Sequence, residues 1–349
     1  MNKTLIKGFG MYTRVEISEF GGPEKLRLVQ EDRLPEPKPG QIRVKVLTAG
    51  TGFTDTIIRQ GQYVDVKDKP PFTLGYDWFG TVDKVGEGVT DLTVGQYVAD
   101  MSVIGGYTQY LCVDAKQLIA APEGLDPGEA VCMILSYTTA YQMLSREAKL
   151  KSGQSCLIHA AGGAVGTALL ELGAMMGLDM IGTGSQAKKA TIEAYGAKFI
   201  DYRSEDVVSR VAELSNGGVD AVFDTIGGQS WARSYRCLRK GGRLVAFGAM
   251  QLTTGQETLP QLLRGFAKLL VLWPLLPDGK KSGFYNILGR RKRLPEEFKE
   301  DLRTLFELLR EKRLKPLIAE RAGLADIVDI HRRLDRGDIV GKVVLDCTL

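Results

Sequence analysis

Hydrophobic and polar residues change rhythm twice along this chain. In QIRVKVLTAG (41–50) they alternate with the two-residue period of a half-buried strand. RVEISEFGG and KLRLVQEDRL read as shorter extended runs, and PEPKPG as a turn imposed by Pro and Gly. TVDKVGEGVTDLTVGQYVAD continues the strand pattern, broken by glycines. The pattern predicts an antiparallel, barrel-like, β-rich domain over residues 1–133. From about Leu135 strands alternate with helices. SCLIHAA leads into a helix over 164–176, and DMIGTG, KFIDY, DAVFDTIGG and RLVAFGAM recur as short apolar strands between helical stretches. That alternation predicts a parallel sheet with helices on both faces, over residues 134–288. In the last stretch, 289–349, a long amphipathic helix (EEFKEDLRTLFELLREKR) precedes LKPLIAE, a second helix and the terminal run GKVVLDCTL. The bunched hydrophobics of that run predict a covered strand that packs back on the first domain.

Composition narrows the classes without naming one. The 349 residues are 44% hydrophobic and 25% charged, with a net charge of +4, ordinary values for a globular chain long enough for two cores. No compact cluster of basic and aromatic residues asks for nucleic acid. The run Arg290, Arg291, Lys292 and Arg293 reads as a solvated helix entry. Five scattered cysteines without paired spacing suggest neither a disulfide framework nor a zinc loop. MNKTLIKGFGMYTRV has no apolar stretch of signal-peptide length, so a cytoplasmic location is the default expectation. The most apolar segment, 262–276, is interrupted by Arg264, Lys268 and Pro274 and too short to span a bilayer. It reads as a buried or lid-forming helix.

Candidate chemistry concentrates between Cys156 and Gly177. A strand ends in a small-residue turn with Ala160, Gly163 and Gly166 at the spacing that permits a tight bend, a close approach to pyrophosphate and close helix packing. Ala164 and Val165 open the helix whose free N–H groups would face the phosphates. A carboxylate near the end of the next strand usually selects NAD by binding the ribose hydroxyls. Here Thr183, Gly184 and Ser185 carry no negative charge, and Lys188 and Lys189 follow. This pattern favours NADPH over NADH, with each lysine also readable as a solvated helix residue. Phe247 and Gly248 end a later strand where backbone groups would face the cofactor. His159 and His331 read as packed histidines.

Beyond these motifs the chain resembles the medium-chain dehydrogenase/reductase superfamily, in its zinc-independent quinone oxidoreductase branch. The resemblance rests on FGGPEKL, AGTGFTDTIIRQGQY, GYDWFGTVDKVGEGV, GGYTQYLCV, YTTAYQML, the AAGGAVG turn, GGVDAVFDTIGG, KGGRLVAFG and GKVVL. It implies a GroES-like catalytic domain, a Rossmann-type domain for the dinucleotide, a cleft between them and a homodimer. Where zinc-bearing members place their ligands, this chain has Gly52, Tyr76 with Asp77, and Leu135. One carboxylate without its Cys and His partners does not make the usual three-ligand site. The resemblance also assigns Lys188 and Tyr202 to the ribose phosphate, Thr139 to the nicotinamide side, and Tyr63 to the substrate cleft. Tyr63 is thereby the side-chain candidate for donating to the acceptor, with a packing role as its alternative. Gly52 and Ile57 stand where the family has polar cleft residues. The implied activity is NADPH-dependent hydride transfer to a small electrophilic acceptor, a quinone or an α,β-unsaturated carbonyl. An enoyl-thioester reductase and a catalytically idle NADPH-binding sensor or scaffold are the alternatives. Tyr285 stays open between an outer pocket and a dimer contact.

Overall fold

Alternation in the first stretch becomes the ten-residue strand Gln41–Gly50, whose Ile42, Val44 and Val46 are buried while the residues between them are less so. The computed structural model describes residues 11–349; the leader reading of the first ten residues lies outside them. The chain divides into two units, one formed by residues up to Leu135 with Ile318–Leu349, the other by Ser136–Leu317.

In the first unit a seven-stranded sheet orders Ile318–Gly323, Lys342–Asp346, Gln41–Gly50, Asp77–Val85, Tyr97–Asp100 and Ile119–Ala120, with Tyr110–Asp114 also paired to Gln41–Gly50. A second sheet joins Leu26–Glu31, Tyr12–Ile17 and Phe72–Thr73. The terminal strand runs antiparallel to Gln41–Gly50 with Leu345 opposite Ala49. Its Val343, Val344 and Leu345 are buried, so the C-terminal return adds to the first core.

The second unit holds six strands, all parallel: Lys198–Asp201, Asp179–Gly184, Ser155–Ile158, Val219–Asp224, Leu238–Ala246 and Lys281–Phe284 in spatial order. Sequence order thus reverses between Ser155–Ile158 and Val219–Asp224, the point where open α/β sheets bind ligands beyond their strand ends. Leu157, Ile181, Val222, Leu244 and Trp231 form the core beneath.

Three sequence expectations change. The return to the first unit begins at Ile318 rather than 289, because the helix Pro295–Arg310 buries Phe298, Leu302, Leu305 and Phe306 in the second unit. Its Asp301 also accepts from Gln142 (2.8 Å) and Arg146 (2.7 Å). Segment 262–276 is neither fully buried nor one helix. Leu262, Leu269 and Trp273 point inward, while Leu263, Val271 and Leu275 are exposed. The basic run lies in the helix Ile287–Arg293 and is not simply solvated: Arg290 pairs with Glu147 and Glu297, and Arg291 lies 4.9 Å over the Phe298 ring.

Candidate active site

The glycine turn is a backbone device. Ala160 adopts a left-handed conformation (φ +51°), the Gly163 N–H donates to its carbonyl (3.0 Å), and the Ala161 N–H donates to Thr183 (3.0 Å). Gly163 then caps the helix Ala164–Met175. No side chain caps that helix, and its first turn carries no acidic residue, so the N–H groups of Ala164, Val165 and Gly166 lack side-chain acceptors. The glycines divide the work. At Gly166 a Cβ would sit 2.4 Å from the Ala160 carbonyl oxygen, so only hydrogen fits. At Gly163 it would meet nothing nearer than 3.4 Å, which leaves that face open for an anion to approach. Open donors on one side and close packing on the other fit the pyrophosphate of a dinucleotide.

At the ribose edge, parallel pairing sets Gly184 opposite Asp201 and thereby brings Ser185 and Tyr202 to neighbouring strand ends. The Lys188 stem lies against this turn: a Cβ on Gly162 would fall 2.6 Å from the Lys188 Cδ. Tyr202 is 53% exposed, and the Arg203 guanidinium sits 5.8 Å from its ring centroid. Arg203 is thus a further cation at this strand end, marked in the sequence only by its place beside Tyr202. No carboxylate side chain comes from the segment 183–189.

Thr183 is turned inward instead. Asp224 Oδ2 accepts from Ser230 (2.8 Å) and Ser234 (2.6 Å). With its proton given to Asp224, Ser234 accepts from His159 Nε2–H (3.0 Å), which leaves Nδ1 bare to accept from the Thr183 hydroxyl (3.2 Å). Burial lowers the His159 pKa, against the Asp224 charge, so the ring is neutral and this chain of donors has one direction. The Thr183 hydroxyl is therefore engaged inside the protein. His159 itself is a clamp between strands and helix, as a packed histidine should be.

Thr139 is likewise buried, and the Tyr285 hydroxyl donates to Gln142 Oε1 (2.7 Å). Tyr285 is buried, so it belongs to the network reaching Asp301 rather than to an open pocket. Phe247 follows the strand Leu238–Ala246 with its N–H on the Asp224 carbonyl (2.9 Å). Gly248 is held so close that a Cβ would lie 2.4 Å from Thr225 Oγ1.

The first unit presents side chains. Tyr63 and Tyr76 meet hydroxyl to hydroxyl at 2.7 Å with rings edge to face. Burial pushes the Tyr63 pKa up to about 12 and that of Tyr76 well above its usual value. Just upstream of Tyr63, the helix Phe53–Arg59 is anchored through buried Arg59, which forks onto Asp335 (3.0 and 2.8 Å) and donates to His331 Nδ1 (3.1 Å). Burial, and then Arg59, lower the His331 pKa to about 3, so it stays a neutral strut. At the position of the absent zinc ligands, buried Asp77 pairs with buried Lys342 (3.0 Å). Burial is the largest single influence and works against the Lys342 charge, but Asp77, Cys132 and Asp55 together outweigh it and the ammonium is retained. Nearby Asp55 accepts from the Gly52 N–H (2.9 Å), and burial together with Asp77 raises its pKa to about 7. Among the described residues no group of three or more His, Cys, Asp and Glu is placed to hold a metal. None of the described helices is long and apolar enough to cross a membrane.

The chain is similar to known proteins along most of its length. Residues 38–123 match the family described as alcohol dehydrogenase GroES-like domain, and residues 195–345 that described as zinc-binding dehydrogenase. The chain is 31% identical to the Danio rerio synaptic vesicle membrane protein VAT-1 homolog, over 96% of this chain and 70% of that protein. It is 31% identical to a quinone oxidoreductase of Pseudomonas aeruginosa, over 96% and 99% of the two chains. A 2-haloacrylate reductase of Burkholderia is 30% identical, over 94% and 97%. Among solved structures, Escherichia coli quinone oxidoreductase complexed with NADPH superposes with a TM-score of 0.81 at 27% identity, covering 96% of this chain and 99% of the other.

Proposed function

Because the chain belongs to the medium-chain dehydrogenase/reductase superfamily, in its zinc-independent quinone-oxidoreductase-like branch, we propose that it is an NADPH-dependent reductase of quinones or α,β-unsaturated carbonyls. The observation that carries this reading is the strand-end edge of the second unit, where the segment 183–189 brings Ser185 and Lys188 without a carboxylate of its own, Tyr202 stands at the neighbouring strand end, Arg203 adds a second cation, and the Asp201 carboxylate accepts from the Arg203 backbone N–H (3.0 Å). Ala164, Val165 and Gly166 N–H groups would hold the pyrophosphate over open Gly163. Backbone at Phe247 and Gly248 would border the cofactor at the strand ends.

NADPH, when bound, supplies the hydride. What the protein must add is orientation and a place for negative charge. Hydride arriving at the β-carbon of an enone leaves an enolate, and hydride arriving at a quinone leaves a phenolate. Either oxygen needs a hydrogen-bond donor and then a proton. Tyr63 is the donor we assign: its pKa, raised by burial to about 12, keeps it protonated at neutral pH. Arg290 is occupied by Glu147 and Glu297, while Lys292 and Arg293 of the same run are exposed, so the thioester alternative is left to the acceptor panel below.

A homodimer belongs to the same proposal. Lys281–Phe284 is the edge strand of its sheet, and exposed Val271 and Leu275 lie in the segment packed on it. Light scattering that returns a single-chain mass at micromolar concentration would remove that part.

The deciding experiment compares NADPH and NADH oxidation against matched quinones, enones and enoyl thioesters, with wild type and Lys188→Ala. Losing one phosphate ion pair should raise the NADPH KM roughly tenfold and leave the NADH KM within about twofold. Equal effects on both cofactors overturn the phosphate assignment, and NADPH binding without oxidation by any acceptor overturns the reductase.

A further inference from the structure

Tyr76 stands at a position where zinc-bearing relatives have a metal ligand, yet its hydroxyl is spent on another tyrosine. The ring is 1% exposed, and the hydrogen bond to Tyr63 (2.7 Å) is the hydroxyl's only one among the described residues. Tyr63 is the more exposed partner. The two protons can be arranged in two ways. If Tyr63 donates to Tyr76, the Tyr76 proton is left buried without an acceptor, which disfavours that arrangement roughly tenfold or more. If Tyr76 donates, its own proton is satisfied and the remaining free proton sits on Tyr63, the less buried of the two residues. The packing therefore sets the direction of the pair.

We propose that Tyr76 is the positioning residue of the proton donor: its O–H donates to Tyr63, directs the Tyr63 O–H toward the acceptor and holds the phenolate oxygen once that proton has left. The inference rests on the assignment of Tyr63 as donor. In the step, the Tyr63 O–H bond breaks and a bond forms from that proton to the enolate carbon or the quinone oxygen. The O–H electron pair stays on Tyr63, now a phenolate accepting from Tyr76, and water returns a proton to it. The surroundings make such help necessary. Burial, Asp65 and Asp55 all oppose a negative charge on Tyr63, and the Tyr76 hydrogen bond is the influence that favours it. Tyr76 loses nothing by remaining neutral, since burial and the Tyr63 charge hold its own proton firmly.

Four proteins test this: wild type, Tyr63→Phe, Tyr76→Phe and the double variant. Each is assayed at saturating NADPH with an acceptor the wild type reduces, in H2O and in D2O. Tyr63→Phe should lower kcat by about a hundredfold, and Tyr76→Phe by about tenfold with NADPH affinity unchanged. Tyr76→Phe should also enlarge the solvent isotope effect on kcat, because proton transfer becomes slower. In the Tyr63→Phe background it should change neither quantity. An equal fractional loss in both backgrounds overturns the proposal, as does a normal rate and isotope effect in Tyr76→Phe while Tyr63→Phe is slow; the Tyr63 assignment survives both. Unchanged turnover in Tyr63→Phe removes that assignment and this inference together. Thermal unfolding of all four separates packing damage: a lowered Tm with an unchanged isotope effect also overturns the proposal.

Discussion

The turn from Ala160 to Gly166 offers a ligand backbone N–H groups and an absence of side chains, whereas the corner around Tyr63 offers side chains held over buried charge. In the cofactor unit the site depends on what is missing: no helix cap, no acid in the first turn, no Cβ at two glycines. In the catalytic unit it depends on what has been assembled, with Asp77 and Lys342 paired across most of the chain and Arg59 forked onto Asp335. A backbone site tolerates change in any side chain that leaves φ and space intact. An assembled site fails when one partner goes.

Four substitutions probe that contrast, beginning with the largest effect. Lys342→Ala strands the Asp77 carboxylate in the core and should cost about 3–5 kcal/mol in urea unfolding. A loss under about 1 kcal/mol would mean that the pair is not what holds this corner together. Next comes Asp55, whose pKa is raised in the folded state to about 7 from 3.8. Its contribution is fully present below pH 4 and is lost as pH rises through 7, because the native state then must carry a buried charge. Asp55→Asn should remove up to a few kcal/mol of that pH dependence and be more stable than wild type at pH 8. Parallel stability curves for the two proteins would show that Asp55 does not titrate there. Gly166→Ala tests the backbone site, since its methyl would meet the Ala160 carbonyl at 2.4 Å. We expect about 1–3 kcal/mol of destabilisation and NADPH binding weakened at least tenfold by fluorescence titration. Ala160→Gly is the smallest. It relieves a left-handed alanine worth about 1 kcal/mol but adds a similar entropy cost to the unfolded chain. Stability should move by under about 0.5 kcal/mol with NADPH affinity unchanged, unless the methyl itself touches the ligand.

The same contrast explains what could be read in advance. Ala160, Gly163 and Gly166 were legible because a turn's demands on φ and space act over a few residues. The parallel sheet and the C-terminal return were legible from the period of the apolar positions. The surroundings of Thr183 were not legible, since a hydroxyl at a strand end looks available until Ser234 and Asp224 are placed behind His159. The boundary at 289 failed because an amphipathic stripe shows that a helix needs a partner without showing which one; the helix Pro295–Arg310 found the junction residues Gln142 and Arg146. Segment 262–276 shows the reverse limit, as its apolar residues face both inward and outward.

What the sequence determined by itself is therefore the local layer: two kinds of secondary-structure rhythm, a tight small-residue turn, a segment 183–189 without a carboxylate, and the loss of zinc ligands at Gly52, Tyr76 and Leu135. Each follows from spacing or from the residue types present, and neither needs a distant partner. Only the tertiary structure decided which hydroxyls are engaged, which charges are neutralised and which groups meet in the Tyr63–Tyr76 and Thr183–His159 pairs. A hydrogen bond's direction depends on every acceptor within about 3 Å, and those acceptors arrive from strands and helices that only folding brings together.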